Sequence, residues 1–90
     1  MIVKYFATIR TYTGETERRI DDAPAGMREL LTSLAARYGT AFRRAVFSDD
    51  QLSGEIIILV NGRNVVHLEG LDTPLEAGDE VSIFPMVAGG

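Results

Sequence analysis

The sequence predicts a two-layer α+β domain in which a mixed sheet packs against one main helix. Three observations point there: short β-prone runs at both ends of the chain, one long apolar stripe at helical spacing between them, and a tight Asn-Gly hairpin signal in the second half. A helix that follows one hairpin and precedes another can cover only one face of the sheet on which it packs.

Ile2 to Thr8 mixes β-branched and aromatic residues, and Thr11 to Glu15 supplies a turn before Thr16 to Ile20, which together read as a hairpin. Asp21-Asp22-Ala23-Pro24 breaks the strand and opens a helix whose apolar residues Met27, Leu30, Leu31, Leu34 and Tyr38 fall on one face. Gly39 stands where a left-handed cap belongs, with Arg37 at the negative end of the helix dipole. A short second helix carries Phe42, Val46 and Phe47, with Arg43 and Arg44 turned outward. Ser48 to Gly54 is a polar loop. Ile56 to Val60 is the most β-prone run in the chain and is expected to be covered on both faces. Asn61-Gly62 is the favoured pair for a type I′ turn, because both positions need positive φ, and Val65-Val66 is expected to form the return strand. Consecutive turns over Thr73 to Asp79 lead to a last strand, Glu80 to Phe84, which Pro85 should stop. Residues 1–90 thus read as one domain, with residues 85–90 as a flexible extended tail. If the final strand docks parallel to the first, the arrangement is a ubiquitin-like β-grasp; a split βαβ arrangement is the competitor.

Composition bounds the function. The chain has 90 residues, 46% of them hydrophobic and 24% charged, the balance of an ordinary globular domain and too little chain for the deep cleft of a free-standing enzyme. The longest apolar run, Ile56 to Val60, is far short of a membrane span, and no secretory signal opens the sequence, so the cytoplasm is the expected location. The absence of cysteine excludes a disulfide framework, a thiolate nucleophile and a side-chain persulfide. The net charge of −4 is unevenly spread: residues 64–90 hold five acidic side chains and no Lys or Arg. This acidic field disfavours nucleic acid and anionic lipid; it is either a solvated face or a patch that steers a basic partner.

Few residues suit catalysis. His67, the single histidine, has no serine or cysteine near it in sequence and is read as a surface residue. Glu76, Asp79 and Glu80 lack the alternating spacing of a calcium loop, so no metal site and no bound cofactor is expected. What remains is the terminus, Pro85-Met86-Val87-Ala88-Gly89-Gly90. Five residues beyond Pro85 extend roughly 17 Å, enough to enter a partner's buried site. Glycines pass a narrow channel and leave the terminal carbonyl open to attack. The Gly90 carboxylate is inert until joined to a nucleotide as a mixed anhydride, which sulfur or an amine can then displace. Two glycines alone favour a frayed, functionless end.

The run Leu71-Asp72-Thr73-Pro74-Leu75-Glu76-Ala77-Gly78-Asp79-Glu80-Val81, continued by Ser82-Ile83-Phe84-Pro85-Met86-Val87-Ala88-Gly89-Gly90, resembles the C-terminal signature of the MoaD/ThiS sulfur-carrier family. The similarity extends to the opening strand, the helix and the Val60-Asn61-Gly62 turn. It implies a β-grasp fold and a carrier that is not itself an enzyme. It also implies activation of Gly90 by an ATP-dependent, E1-like adenylating partner, with ATP used by that partner, and conversion to a thiocarboxylate. The sulfur would pass to an acceptor such as the large subunit of molybdopterin synthase. Phe6 and Phe84 match apolar positions that such carriers use against partners, and Gly89 and Ala88 belong to the tail that reaches the active site. Met86 stands where many molybdopterin-type members have a second proline, and His67 to Gly70 is longer than in their most compact forms, as in carriers for cysteine biosynthesis or small archaeal-type modifiers. Two other functions share this terminus or dispense with it: a modifier joined to target lysines, and an interaction module binding through an exposed sheet face. Glu76, Asp79 and Glu80, with no basic residue after Arg63 to offset them, are expected to help a basic partner surface capture the protein.

Overall fold

Alternation in the first strand sets the architecture: in β1 (Ile2–Tyr5) Val3 and Tyr5 point into the core while Ile2 and Lys4 face the other way. The same alternation recurs in β5 (Ile56–Val60), where Ile56, Ile58 and Val60 are buried, and in β7 (Glu80–Pro85), where Val81 and Ile83 are. Between them come α1 (Thr8–Thr13), β2 (Glu17–Arg19), α2 (Met27–Tyr38), α3 (Thr40–Val46), a minimal ladder of β3 (Phe47–Ser48) with β4 (Gln51–Leu52), and β6 (Arg63–Asn64). This is a computed structural model, and it describes residues 1–86.

The sheet runs β2-β1-β7-β5-β6. β7 lies parallel to β1, with Val3 opposite Val81, and antiparallel to β5, with Ile58 opposite Ile83. A parallel central pair flanked by two antiparallel hairpins is the β-grasp arrangement expected, and it removes the split βαβ alternative. Met27, Leu30, Leu31 and Leu34 of α2 are buried with Phe42 and Val46 of α3 and the inward residues of the three long strands. Their burial is the main stabilising term of the fold.

Several elements differ from expectation. The first strand ends at Tyr5, and its link to β2 is the helix α1 instead of a simple turn. Its six residues are too few to display a helical period, and its Thr and Ile content reads as strand, yet Ile9 and Thr13, four apart, both turn to the core. Gly39 has φ 102° and ψ −166°, positive but outside the left-handed helical well; it ends α2 and begins α3 in one residue. So two short helices accompany the main one. Phe47 falls in β3 instead of in the second helix. Asn61 and Gly62 both have positive φ, 51° and 83°, as the turn requires, but the return strand is Arg63–Asn64, and Val65 and Val66 belong to a 3-10 turn. β5 is fully covered on one face only, Ile57 and Leu59 being half-buried. Pro85 is the last residue of β7 and pairs with Ile56, and the Met86 N–H still donates to the Glu55 carbonyl at 2.8 Å, so the ladder outlasts the proline.

Candidate functional site: the open sheet face and the chain end

The helices leave one sheet face open. There Phe84 of β7 stands opposite Ile57 of β5, and Ser82 lies between Leu59 and Lys4. Phe6, the residue after β1, donates its N–H to the Ile83 carbonyl at 3.1 Å and stacks on Phe84 with ring centroids 4.3 Å apart and planes 10° from parallel. The parallel β1–β7 pairing thus joins two rings 78 positions apart in sequence. Both are half-buried and stand outside the core cluster. Arg10 frames the rings: its Nε donates to the Tyr5 carbonyl at 2.8 Å while its guanidinium lies 5.7 Å from the Phe6 centroid. The pair lies at the end of β7, next to exposed Met86, where the described chain leaves the sheet. Ala88, Gly89 and Gly90 lie outside the described residues.

Glu76, Asp79 and Glu80 occupy the other end of β7, about 17 Å away at roughly 3.3 Å per residue. Their charges are not all free. Asp79 accepts from Asn61 Nδ2 at 2.9 Å and from the Glu76 N–H at 2.8 Å, while Asn61 Oδ1 accepts from the Glu80 N–H at 2.9 Å. That reciprocal pattern locks the β5–β6 turn to the start of β7. Glu80 is offset after all: Lys4 on the neighbouring strand approaches it at 2.8 Å, and this bond raises the lysine pKa. The offset was invisible in sequence because Lys4 lies 76 positions away. Glu76 is exposed and has no ion-pair partner among the described residues.

One polar cluster gave no sequence signal. The Tyr5 hydroxyl meets that of Tyr38 at 2.9 Å, Tyr38 donates to Glu15, and Glu15 takes Arg18 at 2.9 Å. Burial raises the pKa of both tyrosines, the neighbouring Glu15 adding to the effect at Tyr38. The Tyr38 hydrogen bond lowers that of Glu15. Both tyrosines are therefore neutral near pH 7, and the cluster is a strut tying the end of α2 to the α1–β2 link. His67 is exposed at the end of its 3-10 turn. Among the described residues no group of three acidic, His or Cys side chains is placed to hold a metal ion, and no helix is long and apolar enough to cross a membrane.

Known proteins show the same fold and much of the same sequence. Residues 3–90 match the model of the ThiS family. Small archaeal modifier protein 3 of Haloferax volcanii is 42% identical over 98% of this chain and 96% of its own length. The molybdopterin synthase sulfur carrier subunit of Pyrenophora tritici-repentis is 32% identical over 98% of this chain and 87% of its own. The solution structure of small archaeal modifier protein 1 from Methanosarcina acetivorans superposes with a TM-score of 0.85 at 36% identity, covering 99% of this chain and 94% of that one. With the parallel β1–β7 pair, the aromatic patch beside the chain end and a match along nearly its full length, this chain belongs to the ThiS family of small ubiquitin-like, non-catalytic sulfur carriers and modifiers.

Proposed function

We propose that the chain carries sulfur as a thiocarboxylate on Gly90 and donates it most directly in molybdopterin biosynthesis. The observation that carries this reading is the placement of β7: the strand leading to the terminus runs through the centre of the sheet and ends beside the Phe6–Phe84 stack. A partner that covers the two rings is then positioned to take the tail, with Gly89 and Ala88 threading its channel. In the first step a Gly90 carboxylate oxygen attacks the α-phosphorus of ATP on an E1-like enzyme, forming the acyl adenylate and releasing pyrophosphate. A sulfide-level nucleophile next attacks the carbonyl and expels AMP, leaving the thiocarboxylate. On an acceptor, such as the molybdopterin synthase large subunit, the thiocarboxylate sulfur attacks the bound substrate and displaces a leaving group there, and water attack at the resulting thioester carbonyl breaks the C–S bond, leaving sulfur on the substrate and restoring the carboxylate. Every step uses ATP or the partners' active sites, consistent with work in the cytoplasm. The resemblance to the molybdopterin synthase carrier of Pyrenophora supports this acceptor.

A second reading, a modifier whose activated Gly90 is joined to lysines of other proteins, is favoured by the greater identity to the Haloferax modifier. Intact-mass measurement of the protein isolated from its own cells tests the first: an oxygen-to-sulfur mass increase confined to the C-terminal peptide is expected. Deleting Gly90, or appending one residue after it, is expected to abolish the increase while leaving thermal stability unchanged. A terminus that stays a carboxylate in cells, together with glycine remnants on target lysines, would replace sulfur carriage by modification.

A further inference from the structure

At the opposite end of β7 from Pro85 lies a groove of about 470 Å³ between the β5–β6 turn and the segment 68–76. Val60, Leu68 and Pro74 give it apolar walls. Glu69, Glu76 and Asp79 rim it, with Arg63 as the one cation on its lip. Its walls are fixed by hydrogen bonds: Gly26 and Pro74 form a β-bridge, Met27 N–H donates to the Thr73 carbonyl at 2.9 Å, and the Thr73 hydroxyl donates to the Gly70 carbonyl at 2.7 Å. Neither Glu69 nor Glu76 has an ion-pair partner among the described residues, and neither carboxylate accepts a hydrogen bond there.

We propose that this groove docks an arginine-bearing segment of a partner protein, independently of the tail. Three carboxylates against one guanidinium leave the rim net negative, so the complementary occupant is a cation. An apolar slot under a charged rim suits a side chain with a hydrocarbon stem and a charged head. Arginine fits better than lysine because its planar fork engages two carboxylates at once. The groove lies near the start of β7 and the tail leaves from its end, about 17 Å away at roughly 3.3 Å per residue. A partner that holds the body at this pole therefore leaves the terminus free to enter an active site. The inference rests on the groove alone and stands whether or not Gly90 carries sulfur.

The test is a titration of the isotope-labelled full chain with N-acetyl-leucyl-arginine amide, following backbone amide shifts. Saturable shifts confined to the amides around Asn61–Arg63, Leu68–Glu69 and Glu76–Asp79 are expected. The citrulline analogue, the same shape without the charge, is expected to bind at least about tenfold more weakly, since it loses the charge-assisted bonds. Glu69→Gln with Glu76→Gln should give a similar loss without unfolding, because both residues bond to the protein through backbone N–H and C=O groups and not through their carboxylates. Arg63→Gln should tighten binding by removing a like charge, and deletion of Gly89 and Gly90 should leave it unchanged. Equal binding of the citrulline analogue, or linear shifts spread over every acidic residue, would overturn the proposal. So would weaker binding of the peptide by Arg63→Gln, which would show that the net negative rim does not drive docking. Shifts at the same amides on diluting the protein without peptide would assign the groove to a second copy and overturn it equally.

Discussion

The two ends of β7 use the same sheet in opposite ways. At its end, Phe84 stacks on Phe6 in the open, and the principal polar bond that frames the rings is Arg10 to the Tyr5 carbonyl. At its start, Asn61, Asp79 and Glu80 are bonded to one another and Glu80 to Lys4, so polar groups there are consumed by structure. The contrast teaches that the residues most conspicuous in sequence as a charged patch are partly structural, whereas the Phe6–Phe84 pair stays half-exposed outside the core. A half-buried aromatic pair gains further by burial against a partner, whereas a carboxylate already holding two donors has fewer lone pairs left to offer one.

Both ends depend on one core, and breaking it erases the contrast. Leu31→Ala and Ile58→Ala remove fully buried side chains of α2 and β5 and should each cost about 2–5 kcal/mol, through lost burial and a residual cavity. Chemical denaturation reads the loss, and values below about 1 kcal/mol at both sites would contradict the packing.

Sharpening the contrast requires variants that act at one end only. Phe84→Ala should weaken capture by the adenylating enzyme more than about tenfold, as for a central aromatic in an interface. Its effect on folding should be smaller than that of the core variants, because Phe84 is half-buried. A wild-type affinity measured by calorimetry would exclude the aromatic face as the docking surface.

At the other end the two acidic neighbours should part company. Asp79→Ala breaks two hydrogen bonds and should lower stability by about 1–2 kcal/mol. Glu76→Lys should leave stability nearly unchanged yet slow association and reduce its salt sensitivity, because an exposed charge acts through long-range steering that salt screens. Equal rates for wild type and Glu76→Lys over a range of ionic strengths would leave the acidic end as a solvated face.

The smallest effect concerns the strut that serves neither end. Glu15 has its pKa lowered in the fold, chiefly by the Tyr38 hydrogen bond. Its contribution is therefore fully present above the unfolded carboxyl value near 4.5 and is lost as pH falls through the lower folded value. Glu15→Gln should flatten the acid limb of the stability profile slightly and leave stability near pH 7 only modestly reduced. Identical acid limbs in the two proteins would show that the charge on Glu15 adds nothing to stability.

The sequence by itself determined what depends on near neighbours. Met27, Leu30, Leu31 and Leu34 repeat at helical spacing, Ile56 to Val60 has β-branched bulk, and Asn61-Gly62 has the positive-φ preference of its turn; each is a local property of the chain, and each appears in the structure where the sequence put it. The signature from Leu71 onward likewise placed the chain in its family from consecutive residues. Only the tertiary structure decided what depends on strand order. The stack of Phe6 on Phe84, the Lys4–Glu80 pair and the Asn61–Asp79 lock join residues far apart in sequence, because β7 inserts between β1 and β5. Helix α1 was hidden for a related reason. Its Thr and Ile residues favour strand locally, and burial of Ile9 and Thr13 against the assembled core overrides that preference, since a tertiary contact outweighs the small propensity difference of a six-residue segment.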